Sequence, residues 1–175
     1  MVLRAYRKAD FIPWHEVMSD PDVVRHLGGP MSKEDVWRRM AGAAGMWALV
    51  GFGGWAVDRK EDGRLIGTVG LFNFWRDMSP VLGDEPEMGW TFASDLHGQG
   101  YASEACRAVL DWAGSTRPGM PIWANIAPEN HPSLALAERL GFERQCVAIY
   151  KDEPMVVLRR EPLPAASAAS AAAAT

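Results

Sequence analysis

Residues 97–106 read HGQGYASEAC, and this stretch decides how the chain is interpreted. Two glycines, Gly98 and Gly100, stand immediately before a run of apolar residues at helical spacing. Glycine lowers helix stability, so two of them at a helix entrance indicate a special backbone geometry rather than packing. Free N–H groups and the helix dipole make such an entrance a site for anions, and glycines let a phosphate approach closely. A tight strand-to-helix turn is the alternative interpretation.

The spacing differs from two common phosphate-binding motifs. The dinucleotide fingerprint G-x-G-x-x-G needs a third glycine where this chain has Ser103. A P-loop needs Gly-Lys followed by Ser or Thr, which is absent after Gly100. The residues alone therefore favour phosphate binding and a simple turn about equally.

Composition limits the classes of protein to which the chain can belong. It has 175 residues, of which 48% are hydrophobic and 23% charged, as in an ordinary globular domain. A formal net charge of −4 argues against a nucleic-acid-binding surface. No stretch reaches the ~20 apolar residues of a membrane span, and the charged N-terminus does not resemble a signal peptide. We therefore expect a cytoplasmic protein without a membrane partner.

The pattern predicts one domain over residues 1–162, followed by an Ala/Ser-rich tail at 163–175 whose role stays open. Strands alternate with helices around the glycines, which indicates an α/β domain with a strand–helix–strand unit at its centre. Cys106 lies on the apolar side of a helix and is interpreted as a small buried hydrophobe. The predicted strands are 2–6, 54–58, 64–72, 87–93, 121–127, 142–150 and 155–160, and the predicted helices are 9–18, 32–42, 102–113 and 132–141.

The glycine stretch resembles the acetyl-CoA pyrophosphate loop of the GNAT superfamily of N-acetyltransferases, Gln/Arg-x-x-Gly-x-Gly/Ala. Gly100 and Ala102 match its last two fixed positions, whereas His97 replaces the usual Gln or Arg. Further motifs stand in the order of the ribosomal-protein N-acetyltransferase branch. They are Leu3-Arg4 with Asp10, Glu87-Met88-Gly89-Trp90, Glu104-Ala105, Asn130-His131-Pro132-Ser133 and Leu140-Gly141-Phe142.

This resemblance implies a mixed, mostly antiparallel sheet that is flanked by helices and splayed between its fourth and fifth strands. It implies acetyl-CoA as cosubstrate, with the pantetheine arm in the opening and the pyrophosphate on backbone N–H groups of the glycine loop. The residues to which it assigns acetyl-CoA contacts are Trp90, Thr91, Phe92, His97, Gly98, Gln99, Gly100, Tyr101, Ala102, Asn130 and Ser133.

Acetyl transfer to an amine needs a proton acceptor, an oxyanion site and a proton for the thiolate. Glu87 is the first candidate for the base, because it begins the strand that borders the expected thioester. Asp152, Glu153 and a water molecule are alternatives. Ser133 is the candidate donor to the departing sulfur, and a backbone N–H near Trp90 is the expected oxyanion donor.

The acceptor is expected to be a primary amine, either a protein or peptide N-terminus or a small molecule. The acidic stretch Asp84-Glu85 is expected to attract a cationic amine, and Trp75 and Trp90 are expected to line the acceptor pocket. Peptide N-termini rank above lysine side chains, because an α-amine has a reference pKa of about 7.7–8.0 against about 10.4.

Several alternatives stay open. A non-catalytic acyl-CoA-binding sensor on the same fold would keep the same loop, and an unrelated α/β binding domain would ignore CoA. The four histidines show no metal-ligand spacing, so no metal site is expected. A homodimer is one option for assembly. Core positions are expected for four tryptophans, Trp14, Trp37, Trp55 and Trp123.

Overall fold

The computed structural model describes residues 1–79 and 84–162. The predicted tail, residues 163–175, lies outside the described residues. The strands in the described ranges are β1 (Val2–Arg4), β2 (Gly54–Asp58), β3 (Leu65–Phe72), β4 (Glu87–Phe92), β5 (Ile122–Ile126), β6 (Glu143–Tyr150) and β7 (Glu153–Arg160). They form one sheet in the order β1-β2-β3-β4-β5-β7-β6, in which β4 and β5 are parallel and the other neighbours are antiparallel. This confirms the expected mixed, mostly antiparallel sheet.

Helices connect the strands on both faces of the sheet. In the described ranges they are α1 (Phe11–Val17), α2 (Pro21–Val24), α3 (Lys33–Val50), α4 (Tyr101–Thr116) and α5 (His131–Arg139). Two short 3-10 turns, Lys8–Asp10 and Ser94–Leu96, precede α1 and the glycine stretch. The sequence pattern missed α2, which has only four residues and begins with Pro21 after the capping residue Asp20.

The helix α3 corrects the prediction that it ends at Gly42. It begins as expected, with the Ser32 hydroxyl accepting a hydrogen bond from the Asp35 N–H at 3.1 Å. It continues to Val50 because its second half packs on the sheet: the Trp47 indole N–H donates to the Gly54 carbonyl at 3.1 Å. Tertiary contacts thus outweigh the propensity cost of a glycine inside a helix, about 1 kcal/mol.

The two faces of the sheet carry different clusters of buried side chains. The main core includes residues of α4, α5 and one face of β3, β4 and β5, among them Val109, Leu134 and Ile122. On the opposite face, a second cluster joins α1, α2 and α3 to β2. A third, smaller cluster places Met78, from the segment between β3 and β4, against β6 and β7.

β4 and β5 diverge after a single registered pair, Glu87 with Trp123. One further hydrogen bond joins the Trp123 N–H to the Pro86 carbonyl at 2.8 Å. Beyond this point β4 pairs with β3 and β5 pairs with β7, but the two parallel strands do not pair with each other. The predicted splay between the fourth and fifth strands is confirmed, and its vertex lies at Glu87 and Trp123.

The tryptophan predictions were mostly correct. Trp14 is buried, and Trp55 and Trp123 are partly buried against the main core and the third cluster. Trp37 was wrongly assigned to the core: 41% of it is exposed, and its ring lies nearly perpendicular to that of Phe11, with 5.4 Å between the ring centres. No helix in the described residues is long and apolar enough to cross a bilayer.

Candidate active site

The glycine stretch forms the entrance to α4. Gly98 and Gly100 have φ angles of +75° and +87°, a region that other residues rarely adopt. Gly100 precedes the first helical residue and no side chain caps the helix. The first N–H that bonds within the helix is that of Glu104, to the Gly100 carbonyl at 3.0 Å. The preceding N–H groups of the first turn are therefore available to an anion.

Two side chains of this loop, those of His97 and Gln99, are hydrogen-bonded to backbone carbonyl groups of earlier residues. The His97 imidazole Nε2 lies 3.0 Å from the Phe92 carbonyl oxygen, and the Gln99 amide donates to the Asp95 carbonyl at 2.9 Å. A Cβ added at Gly98 or Gly100 would meet no atom within 4 Å, so open space adjoins both residues. The loop therefore offers backbone N–H donors and enough open space for a bound anion.

The start of α5 lies at the same edge of the sheet as the glycine loop. Parallel strands end at the same edge, and α4 follows β4 as α5 follows β5. Asn130 caps α5 by accepting a hydrogen bond from the Ser133 N–H at 3.3 Å, which leaves the half-buried Ser133 hydroxyl at the helix entrance. The topology thus brings the predicted cofactor residues of both loops to the open end of the splay.

The vertex of the splay holds a buried carboxylate that is not free. Arg76 forms two hydrogen bonds to Glu87, Nε to Oε2 at 2.6 Å and Nη2 to Oε1 at 2.7 Å. The Asn125 amide donates a third, to Oε2 at 2.8 Å. Glu87 is only 7% exposed, although it begins a strand directly after the acidic stretch Asp84-Glu85. Three of its about four lone-pair positions are occupied, and the open one is on Oε1.

Arg76 is held from several sides. Its guanidinium carbon lies 4.6 Å from the Phe74 ring centre and 4.7 Å from that of Tyr150. Burial by itself lowers the pKa of Arg76, but the bonds to Glu87 and the neighbouring Tyr150 outweigh it and the pKa is raised. Arg76 is thus a permanent cation that ties the segment between β3 and β4 to the vertex.

Other predicted acceptor-side residues are placed differently from what was expected. Trp90 is partly buried against the main core, whereas 72% of Trp75 is exposed, and their shared role in an acceptor pocket stays a prediction. Asp84 accepts a hydrogen bond from Asn73, and Glu85 pairs with Arg159 at 3.2 Å. The cation offsets the charge of Glu85, so the acidic stretch is a weaker attractant than its sequence indicated.

The alternative bases lie on the surface. Asp152 and Glu153 are exposed at the turn between β6 and β7, where Asp152 has a φ of +66°. Tyr150 pairs with Glu153 in the β6–β7 register, so this turn borders the ring that packs on Arg76. Within the described residues no group of three or more His, Cys, Asp or Glu side chains could hold a metal ion.

Sequence patterns missed two residues of the vertex, Arg76 and Asn125. Arg76 belongs to no motif and reaches Glu87 only because its segment folds back over the sheet. Asn125 had a signal: in IWANI the apolar residues Ile122, Ala124 and Ile126 alternate with Trp123 and Asn125. Asn125 and Trp123 thus share the face away from the main core, and a polar side chain that is covered on that face needs a partner or a function.

Comparison with known proteins identifies the family. Residues 1–143 match the model of the acetyltransferase (GNAT) domain. The chain belongs to this family. The chain is 27% identical to one relative, the Bacillus subtilis uncharacterized protein YkkB, over 83% of this chain and 82% of that protein. It is 25% identical to the uncharacterized N-acetyltransferase YnaD of the same species, over 83% of this chain and 80% of that protein.

Solved GNAT structures agree with the fold. A GnaT-family acetyltransferase from Bordetella pertussis superposes with a TM-score of 0.78 at 28% identity, covering 90% of this chain and 93% of that one. The aminoglycoside acetyltransferase AAC(6')-Ib in complex with coenzyme A superposes at 0.74 over 91% of this chain and 94% of that one. At 18% identity this second likeness shows the fold alone. The chain is an acetyltransferase of the GNAT fold.

Proposed function

We propose that this enzyme transfers the acetyl group of acetyl-CoA to a primary amine by direct attack in a ternary complex. The observation that carries the proposal is the glycine loop with two positive φ angles, which opens onto uncapped N–H groups at the open end of the β4–β5 splay. Such N–H groups suit a pyrophosphate, and the splay suits an extended arm. Acetyl-CoA is the cosubstrate, and no metal takes part.

The amine lone pair attacks the thioester carbonyl carbon, the new C–N bond forms, and the C–S bond then breaks to release CoA thiolate. A backbone N–H near Trp90 stabilises the oxyanion. The amine proton passes to Glu87, through the open lone pair on Oε1, or to water. Asp152 and Glu153 stay alternatives. Ser133, at the positive end of α5, donates to the departing sulfur.

For the acceptor, we propose a peptide or protein N-terminus, with a small-molecule amine as the alternative. The motif order of the ribosomal-protein branch supports this choice, and so does the engaged state of Glu87. An α-amine is partly deprotonated near neutral pH and needs less help from a base than lysine does. We keep the cytoplasm as the proposed location, and the homodimer stays a prediction.

An acetyl-CoA-dependent thiol-release assay tests the proposal. A peptide with a free α-amine is compared with its N-terminally blocked, lysine-containing counterpart at equal concentration and pH. We expect faster transfer to the free α-amine. A preference for the blocked peptide would reverse the ranking, and activity only with small amines would move the acceptor to that class. CoA binding without turnover on any amine would support the acyl-CoA sensor instead.

A further inference from the structure

Two side-chain polar atoms in the described part of the chain are buried without a hydrogen-bond partner, and both belong to β5. They are Trp123 Nε1, a donor, and Asn125 Oδ1, an acceptor. Native proteins leave few such atoms, because a buried polar group that loses water and gains no partner destabilises the fold. Two on one strand, beside the vertex of the splay, indicate groups that a ligand completes.

The orientation of the Asn125 amide follows from its neighbour. An ionised carboxylate accepts hydrogen bonds and does not donate them, so the atom that faces Glu87 Oε2 at 2.8 Å is Nδ2. The amide oxygen must then turn away from Glu87. It cannot gain a partner by flipping, since the flipped amide would set its oxygen against the carboxylate.

Both atoms lie on the face of β5 from which a second substrate must approach. Trp123 and Asn125 are two residues apart on a strand and share a face with Glu87, the register partner of Trp123. The other face of β5, with Ile122 and Ile126, is filled by the main core beneath α4 and α5, whereas the face with Trp123 and Asn125 is covered by the segment that carries Arg76 and Met78. An acyl arm that enters the splay from the glycine loop ends near the vertex, so the amine reaches it from the opposite face.

We propose that these two atoms bind the acceptor. Asn125 Oδ1 accepts an N–H of the attacking amine, which leaves the nitrogen lone pair free for the thioester carbon. Trp123 Nε1 donates to an oxygen that the acceptor carries close to its amine, as the first carbonyl of a peptide does. This inference rests on the proposed function and narrows the acceptor to amines with a neighbouring hydrogen-bond-accepting oxygen.

The test uses two probe amines, glycylglycinamide and n-butylamine, of which only the first carries such an oxygen. Acetyl transfer by the full chain is followed by thiol release. For Asn125→Leu we expect the KM of both amines to rise about tenfold or more, while the KM for acetyl-CoA stays within twofold. For Trp123→Phe we expect a rise of about fivefold for glycylglycinamide and none for n-butylamine.

Gln145→Leu is the control, because Gln145 also carries a side-chain amide, which donates to the Glu143 carbonyl at 3.2 Å on the exposed surface of β6, the edge strand of the sheet. Its kinetics should equal those of the wild type. The thermal shift produced by CoA checks the folding of each variant, and Asn125→Ala replaces Asn125→Leu if the latter does not fold.

The outcomes separate the inference from its basis. If Asn125 only orients Glu87, kcat falls and its pH profile moves while the KM of the amines stays unchanged, which overturns the inference. An equal effect of Trp123→Phe on both amines indicates lost packing and overturns the role of Nε1. If the wild type is active and both variants keep its KM and kcat for the two amines, the inference is wrong but the proposed function stands. If the wild type binds CoA but acetylates neither amine, the proposed function is wrong as well.

Discussion

The two ends of β4 are built in different ways. At its C-terminal end the site consists of backbone N–H groups supplied by consecutive residues, from Gly98 to the first turn of α4. At its N-terminal end the site consists of side chains from distant segments, with Arg76 and Asn125 meeting at Glu87. The first arrangement suits a phosphate group common to all acetyl-CoA enzymes. The second can change with the acceptor without disturbing cofactor binding.

The largest expected effect concerns Glu87, the proposed base at the vertex. Glu87→Gln should lower turnover about a hundredfold near pH 7 and recover in part at high pH, where more of the amine is already deprotonated. Ser133→Ala provides the contrast, since loss of a donor to the thiolate should lower turnover with little recovery at high pH. The measurement is the pH profile of kcat with a peptide amine. Near-normal turnover of Glu87→Gln at every pH would move the base to Asp152, Glu153 or water.

The next effect concerns the backbone site. Gly100→Val should weaken CoA binding about tenfold or more, because a side chain at φ +87° distorts the loop and narrows the approach of the pyrophosphate. The measurement is the CoA-induced rise in Tm, which follows affinity by mass action. Gly119→Val is the matched control: Gly119 has a φ of +83° and equally open surroundings, beyond the far end of α4, about 24 Å along the helix. A full CoA shift in Gly100→Val would remove the pyrophosphate assignment.

An effect on stability rather than on activity concerns the ion pair at the vertex. Arg76→Met leaves the Glu87 carboxylate buried without its cation, and we expect the free energy of unfolding to fall by about 3 kcal/mol, the low end for a broken buried pair because Arg76 is itself partly exposed. Arg64→Met removes a similar but exposed pair with Asp95 and should cost less than about 1 kcal/mol. Urea unfolding at pH 7 measures both. The double variant Arg76→Met/Glu87→Gln should regain most of the loss, and equal costs for the two single variants would contradict the role of burial.

The smallest effect is expected in the side chains of the glycine loop. Gln99→Ala removes an amide that bonds to the Asp95 carbonyl, and the affinity for CoA should change less than twofold because backbone groups make the contact. Isothermal titration with CoA measures this. A tenfold loss would show that the Gln99 side chain reaches the cofactor, and the contrast between the two ends of β4 would be weaker than proposed.

A comparison of predicted with observed elements shows which structural features a sequence pattern can predict. The Asp62–Gly63 turn between β2 and β3, the amphipathic α4 and the splayed strands were all predicted, because each depends on neighbouring residues or on the family motif. The end of α3 and the exposure of Trp37 were wrong. Both features depend on which other part of the protein packs against α3, and the periodicity of apolar residues in a helix does not give that information.

By itself the sequence determined the fold class and the family, and it located the proposed cofactor loop, since a strand, two glycines and a helix entrance are consecutive and their geometry is local. Only the tertiary structure decided the state of the acceptor side. Glu87 could be named from its place at the start of a strand, but its engagement by Arg76, 11 residues earlier, and Asn125, 38 residues later, arises only when three segments meet at the vertex. Hydrogen bonds form between atoms that the fold brings together, and no spacing along the chain encodes such a meeting.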